Sequence, residues 1–160
     1  MKTVTTRRVI RPSAGTEEAR VEPPRGEALQ PRPRQAATGL WGAWQGRMAD
    51  LEGQMAAALD VDLHRMRQLP RQPDLPAAQR LQAVWLDPWS GLKETFEAAA
   101  ASAGLGEALV RDYRIYLGLR DTQLRALVRC ALAPGRPQVQ QLDIAQAALD
   151  TFIAARRKSN

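Results

Sequence analysis

From Gly39 to the C-terminus, apolar residues recur at intervals of three and four positions. This spacing places them along one face of an α-helix. The pattern is interrupted at segments rich in proline or glycine and resumes each time with the same helical period. It predicts an all-α domain, a small bundle of about six helices, over residues 39–160.

The first of these helices has the best defined apolar face. Trp41, Trp44, Met48, Leu51 and Met55 follow one another at steps of three and four and form a narrow seam. Such a seam packs into the core of its own chain or onto a partner helix. Both interpretations remain open from the sequence alone.

Proline and glycine mark the predicted helix ends. Three prolines in the segment LPRQPDLP end the first helix, and Asp74 within that segment is a suitable N-cap for the second. Pro88 predicts a new helix start, since proline is tolerated in the first turn but not in a helix interior. Gly104 predicts a left-handed C-cap for that third helix, and the segment APGRP separates the last helix from the one before it.

Residues 1–38 have a different composition. They hold eight Lys or Arg against four Glu, with few large apolar side chains. Such a segment buries too little surface to offset the entropy lost on ordering. We therefore predict a disordered, basic, Pro- and Arg-rich arm over 1–38. It is either attracted to nucleic acid or another acidic surface, or it is only a solvated tail.

The segment RDYRIYLGLRDTQLRALVRCAL, from Arg111 to Leu132, places Gly118 between two apolar runs that are rich in arginine. A helix-turn-helix has this arrangement, with its second helix in the major groove of DNA. Arg114 argues against the motif, because a small residue is usual where the two helices approach. The alternative is an ordinary helical hairpin with solvated arginines.

The sequence offers little catalytic or metal-binding chemistry. Its single histidine, His64, and its single cysteine, Cys130, lie in different predicted helices and cannot assemble a zinc site. No phosphate-binding glycine loop and no nucleophile motif is found. We therefore expect a non-enzymatic protein without metal or cofactor. The lone cysteine is typical of a cytoplasmic protein, and no apolar run approaches the roughly 20 residues of a membrane span.

Two functional hypotheses follow from these patterns. The leading one is a nucleic-acid-binding accessory protein that contacts DNA through the basic arm and the segment near 107–132. Its predicted contact residues are Arg7, Arg8, Arg11, Arg120, Gln123, Arg125 and Arg129.

The alternative is a helical adaptor or assembly subunit of a larger complex, such as phage, plasmid-transfer or secretion machinery. It would bind a protein partner, or a second copy of itself, through the helix over 41–66. The predicted contact residues are the seam residues Trp41, Trp44, Met48, Leu51 and Met55.

Overall fold

The computed structural model describes residues 33–68 and 72–159 of the 160-residue chain. Five α-helical segments lie in these ranges: α1 Pro33–Arg67, α2 Leu75–Leu81, α3 Asp87–Ala103, α4 Glu107–Leu132 and α5 Arg136–Ser159. No β-strand occurs in the described ranges, which confirms the all-α prediction. Arg7, Arg8 and Arg11 of the predicted arm lie outside them, and α1 begins within the last residues of that arm.

Helices α2 and α3 form one continuous helix. The turn Gln82–Leu86 between them is π-helical, and the residues on either side keep right-handed helical dihedral angles. The amide of Asp87 donates to the carbonyl of Gln82, five residues earlier. This wider turn accommodates Pro88, whose ring would collide with a carbonyl of the preceding turn in a regular α-helix. The predicted break at Pro88 is therefore wrong, and the described chain forms four helical rods rather than six.

Helix α4 runs without interruption through Gly118. Among the described glycines only Gly104 has a positive φ, so the chain makes no left-handed turn at Gly118. A continuous helix keeps Leu117, Leu124 and Leu127 on one buried face. That burial outweighs the roughly 0.5–1 kcal/mol that a glycine costs in a helix interior. The predicted helix-turn-helix is therefore wrong, because the segment is a single helix.

The helices alternate in direction and are joined by short connections, as in an antiparallel bundle. Helix α3 returns along α1, where the indole nitrogen of Trp44 donates to the carbonyl of Leu92 at 2.9 Å. Helix α4 packs on α3, where the indole nitrogen of Trp89 donates to the carbonyl of Leu117 at 3.0 Å. Helix α5 packs mainly along α4. Two buried tryptophans thus each join neighbouring helices through a backbone carbonyl.

A buried carboxylate fixes the end of α1 to the next helix. Asp62, only 5 % exposed, accepts hydrogen bonds from Arg80 at 2.6 Å and from the indole nitrogen of Trp85 at 3.2 Å. The pKa of Arg80 is raised, mainly by its hydrogen bond to Asp62. Because its charge is paired and its oxygens accept hydrogen bonds, Asp62 is tolerated inside the fold.

The two interpretations of Gly118 predict opposite effects of a Gly118→Ala substitution. In a continuous helix, alanine raises the free energy of unfolding by about 0.5–1 kcal/mol, and a Cβ at Gly118 meets no atom within 4 Å. Urea unfolding measures this change. Gly104→Ala is the matched control and should destabilise by about 1 kcal/mol, since Gly104 has a φ of +63°. Destabilisation by Gly118→Ala would contradict the continuous helix.

Candidate functional site

Gln123, predicted to face DNA bases, is fully buried. Its side-chain oxygen accepts from Arg120 at 2.8 Å, and its amide nitrogen donates to Gln146 of α5. The prediction fails because it assumed a turn at Gly118. In one continuous helix, Gln123 lies seven residues after Tyr116 and therefore on the same inward face.

The three predicted DNA-contacting arginines of α4 do not form one surface. Arg120 is half-buried and lies with its guanidinium carbon 5.9 Å from the centre of the Tyr116 ring. Arg125 pairs with Asp121 of its own helix at 2.9 Å, and this contact raises the pKa of Arg125. Arg129 is exposed, and nine residues place it on the opposite side of α4 from Arg120. The structure therefore does not bring these side chains together.

The seam predicted to bind a partner is packed inside this chain. Trp44, Leu51 and Met55 are buried, and Trp41 and Met48 are half-buried against the same core. The rings of Trp41 and Trp44 stack with centroids 5.1 Å apart and contact aromatic rings of α3 and α4. The seam is therefore not available to a partner in this fold.

An open groove of about 340 Å³ lies between the first half of α4 and the last turns of α5. We call it the docking groove. Its floor is apolar and aromatic and consists of Leu109, Tyr113, Tyr116, Phe152 and Ile153. Leu109 is 47 % exposed, which is high for a leucine beside a packed core. The floor therefore presents apolar surface that nothing else in the described chain covers.

The rim of the docking groove consists of Asp112, Arg156 and Arg157. The guanidinium of Arg156 contacts the carboxylate of Asp112 and lies 5.6 Å from the centre of the Phe152 ring. Arg157 and the neighbouring Lys158 make no ion pair within the part of the chain that the structure describes. Cations in the last turn of α5 also interact favourably with the negative end of the helix dipole. The groove is thus apolar below and predominantly cationic at its edge.

A layer of polar side chains lies beside the floor, between α1, α4 and α5. The Tyr116 hydroxyl donates to the carboxylate of Glu52 on α1 and lies 3.4 Å from Arg120. Burial is the main cause that raises the pKa of Tyr116, and the hydrogen bond to Glu52 adds to it. The layer continues through Gln123, Gln146 and Asp150. Because Tyr116 belongs to both the floor and this layer, hydrogen bonds hold that part of the floor in position.

Other candidate chemistry in the described residues is slight. His64 is exposed and hydrogen-bonded to Gln68, whereas Cys130 is buried, which raises the pKa of its thiol. No group of three or more His, Cys, Asp or Glu side chains in the described ranges is placed to hold a metal ion. None of the described helices combines the length and the apolar character of a membrane span.

Comparisons with models of protein families, with curated proteins and with solved structures find no match to this chain. What the protein binds is therefore inferred from the residues of its own surface. The docking groove combines apolar surface, exposed at Leu109, with neighbouring cations, Arg157 and Lys158, that make no ion pair among the described residues.

Sequence reasoning did not identify the docking groove. The apolar period of the last helix accounts for Ile153 as part of a buried stripe, and the helix dipole accounts for the cations after it. A signal was present, since Phe152 and Ile153 are adjacent and point about 100° apart around the helix, which widens its apolar face. An apolar pair followed three to five residues later by Arg156, Arg157 and Lys158 indicates a surface that is part apolar and part cationic.

The raised pKa of Tyr116 predicts a pH-dependent loss of stability that Tyr116→Phe removes. The ordinary pKa of the phenol is 10.0, and the folded value is higher. The unfolded chain therefore loses this proton first, so the free energy of unfolding is unaffected below about pH 10 and falls as pH rises above it. Urea unfolding at about pH 8 and about pH 10.5 measures the loss. The wild type should lose more stability than Tyr116→Phe; equal losses would contradict the assignment.

Proposed function

We propose that this protein is a non-enzymatic helical adaptor or assembly subunit that binds a protein partner through the docking groove. The observation that carries the proposal is an open floor of aromatic and aliphatic side chains, exposed at Leu109 and half-buried elsewhere, with a cationic rim. Contiguous exposed apolar surface with a polar border is typical of protein interaction sites. Tyrosine and arginine, which supply most of the binding energy in many interfaces, are both present.

The rigidity of the floor supports this proposal. Tyr113 belongs to the aromatic cluster of Trp41, Trp44 and Phe96, with ring centroids 5.5–5.7 Å from its own. Tyr116 packs against Phe152 and is hydrogen-bonded to Glu52. Side chains that are already fixed lose little conformational entropy when a partner docks on them. A preformed floor therefore favours binding without rearrangement of the domain.

Nucleic-acid binding through the basic arm and Arg129 remains the competing hypothesis. It accounts for the net charge of +6, and it predicts an affinity that falls steeply with salt, since phosphate contacts release counterions. It does not account for Leu109 and Ile153, whose apolar surface has no role in binding phosphate. The docking groove therefore favours a protein partner over a nucleic acid.

Site-specific photo-crosslinking in the cells that make this protein distinguishes the two hypotheses. We expect a photoreactive residue at Leu109 to give a discrete adduct that is sensitive to protease and resistant to nuclease. The same residue at Val84, which is 40 % exposed on the π-helical turn, is the control and should give none. Ile153→Asp should abolish the adduct at Leu109, with folding checked by circular dichroism. A nuclease-sensitive adduct would support the competing hypothesis, and an equal yield at both positions would overturn the proposal.

A titration with duplex DNA at two ionic strengths tests the competing hypothesis directly. If the arginines of α4 contact phosphates, Arg125→Ala with Arg129→Ala should weaken binding without unfolding the protein, because both side chains are exposed. We expect instead no salt-sensitive binding that depends on these two residues. Gel-shift affinity of the double variant against the wild type provides the measurement.

A further inference from the structure

We propose that the docking groove recognises an acidic amphipathic helix. In the free protein Asp112 forms an ion pair with Arg156, and a carboxylate of the partner replaces Asp112 in that pair on binding. This inference rests on the proposed function and names the partner's chemistry and the residue that regulates its access. It depends on three features of the groove: the spacing of its floor, the charge of its rim and the position of Asp112.

The spacing of the floor matches a helical partner. Leu109, Tyr113 and Tyr116 stand at intervals of four and three along α4, so they extend over about 10 Å of its length. Phe152 and Ile153 of the antiparallel α5 form the opposite wall. A trough between two helices accepts the apolar face of a third helix, whose anchors repeat with the same intervals.

The charge of the rim selects an acidic partner. Arg156 is 44 % exposed, and Arg157 and Lys158 beside it have no ion pair among the described residues. Helices α4 and α5 together carry nine Lys or Arg against five Asp or Glu. The arm of this chain is itself basic, with eight Lys or Arg against four Glu over residues 1–38, so the rim would repel it. Charge complementarity therefore favours a separate, acidic segment.

Asp112 occupies the position that a partner carboxylate would take. It contacts Arg156 across the groove, from α4 to α5, and lies 4.0 Å from Arg111. The Arg156 side chain is 44 % exposed and that of Asp112 is 17 % exposed, so the pair lies at the edge of solvent, where a carboxylate of a docked partner can reach the guanidinium. Arg114 does not line the groove, and Glu97 of α3 binds it through two hydrogen bonds of 2.5 and 2.8 Å. Arg156 is thus the rim cation that can exchange Asp112 for a carboxylate of the partner.

Synthetic helical peptides test this inference. Three labelled peptides are compared by fluorescence anisotropy: one with an apolar face flanked by Glu, one with the same face flanked by Lys, and one with Glu flanks but Ser on the face. We expect the first to bind about tenfold more tightly than the Lys-flanked peptide, since ion pairs to Arg156 and Arg157 each contribute up to about fivefold. The Ser-faced peptide should bind at least about tenfold more weakly than the first, because it buries no apolar side chains on the floor. Raising the salt concentration should reduce the preference for Glu over Lys flanks.

Substitutions of the rim residues test whether the peptide binds in the docking groove. Asp112→Asn removes the competing charge with little change in shape and should strengthen binding of the Glu-flanked peptide by about two- to fivefold. Arg156→Gln with Arg157→Gln should weaken it by about tenfold. Arg129→Gln removes an exposed arginine elsewhere on α4 and is the matched control, with no change expected. If Asp112→Asn does not fold, Asp112→Ser tests the same step.

The outcomes separate this inference from the proposed function. Equal binding of the Glu- and Lys-flanked peptides, lost in Ile153→Asp, overturns acid recognition and leaves the docking proposal intact. Unchanged or weaker binding in Asp112→Asn overturns the role of Asp112. A protein adduct at Leu109 without binding of any peptide overturns this inference alone. Binding of duplex DNA that the rim variants abolish overturns both.

Discussion

Burial of one continuous stripe along α4 is the constraint on which the rest of this structure depends. Helix α4 is 26 residues long and packs against α1, α3 and α5. Leu117, Leu124 and Leu127 in its middle are almost completely buried. Breaking α4 at Gly118 would turn part of this stripe away from α3 and expose it. The net advantage of the unbroken helix comes from tertiary packing, since an isolated helix with an interior glycine is only marginally stable.

The sequence predicted those features that depend on local chemistry or on the spacing of apolar residues along the chain. The three- and four-residue spacing correctly indicated an all-α fold. Asp74 caps α2 through a hydrogen bond from the amide of Ala77 at 2.9 Å, and Gly104 ends α3 in the left-handed conformation. The predicted breaks at Pro88 and Gly118 failed for one shared reason. Each residue disfavours a helix locally, but a π-helical turn in one place and packing on both sides in the other keep the helix continuous.

The candidate site was harder to predict than the fold, because the direction in which a side chain points depends on whether its helix is continuous. With a turn at Gly118, Gln123 belongs to a separate helix whose outer face is undetermined. Without that turn, Gln123 is in phase with Tyr116 and lies inside, where Arg120 and Gln146 satisfy its amide. A single residue, interpreted as a turn, therefore changed the assignment of a whole surface. The seam of α1 was ambiguous for another reason, since an apolar stripe has the same pattern whether its partner is internal or external.

The same continuity explains why the open surface lies at one end of the bundle. Helices α4 and α5 pack closely where Leu127 and Leu142 belong to the same buried cluster. Toward the start of α4 and the end of α5, no other described helix covers the side that carries Leu109 and Ile153. Arginines at the end of α5 suit the negative end of its dipole, and their guanidinium groups also keep that end solvated. Cations that suit the end of a helix and an uncovered apolar floor thus meet at one place, and this combination is the basis on which we propose a partner that is both apolar and acidic.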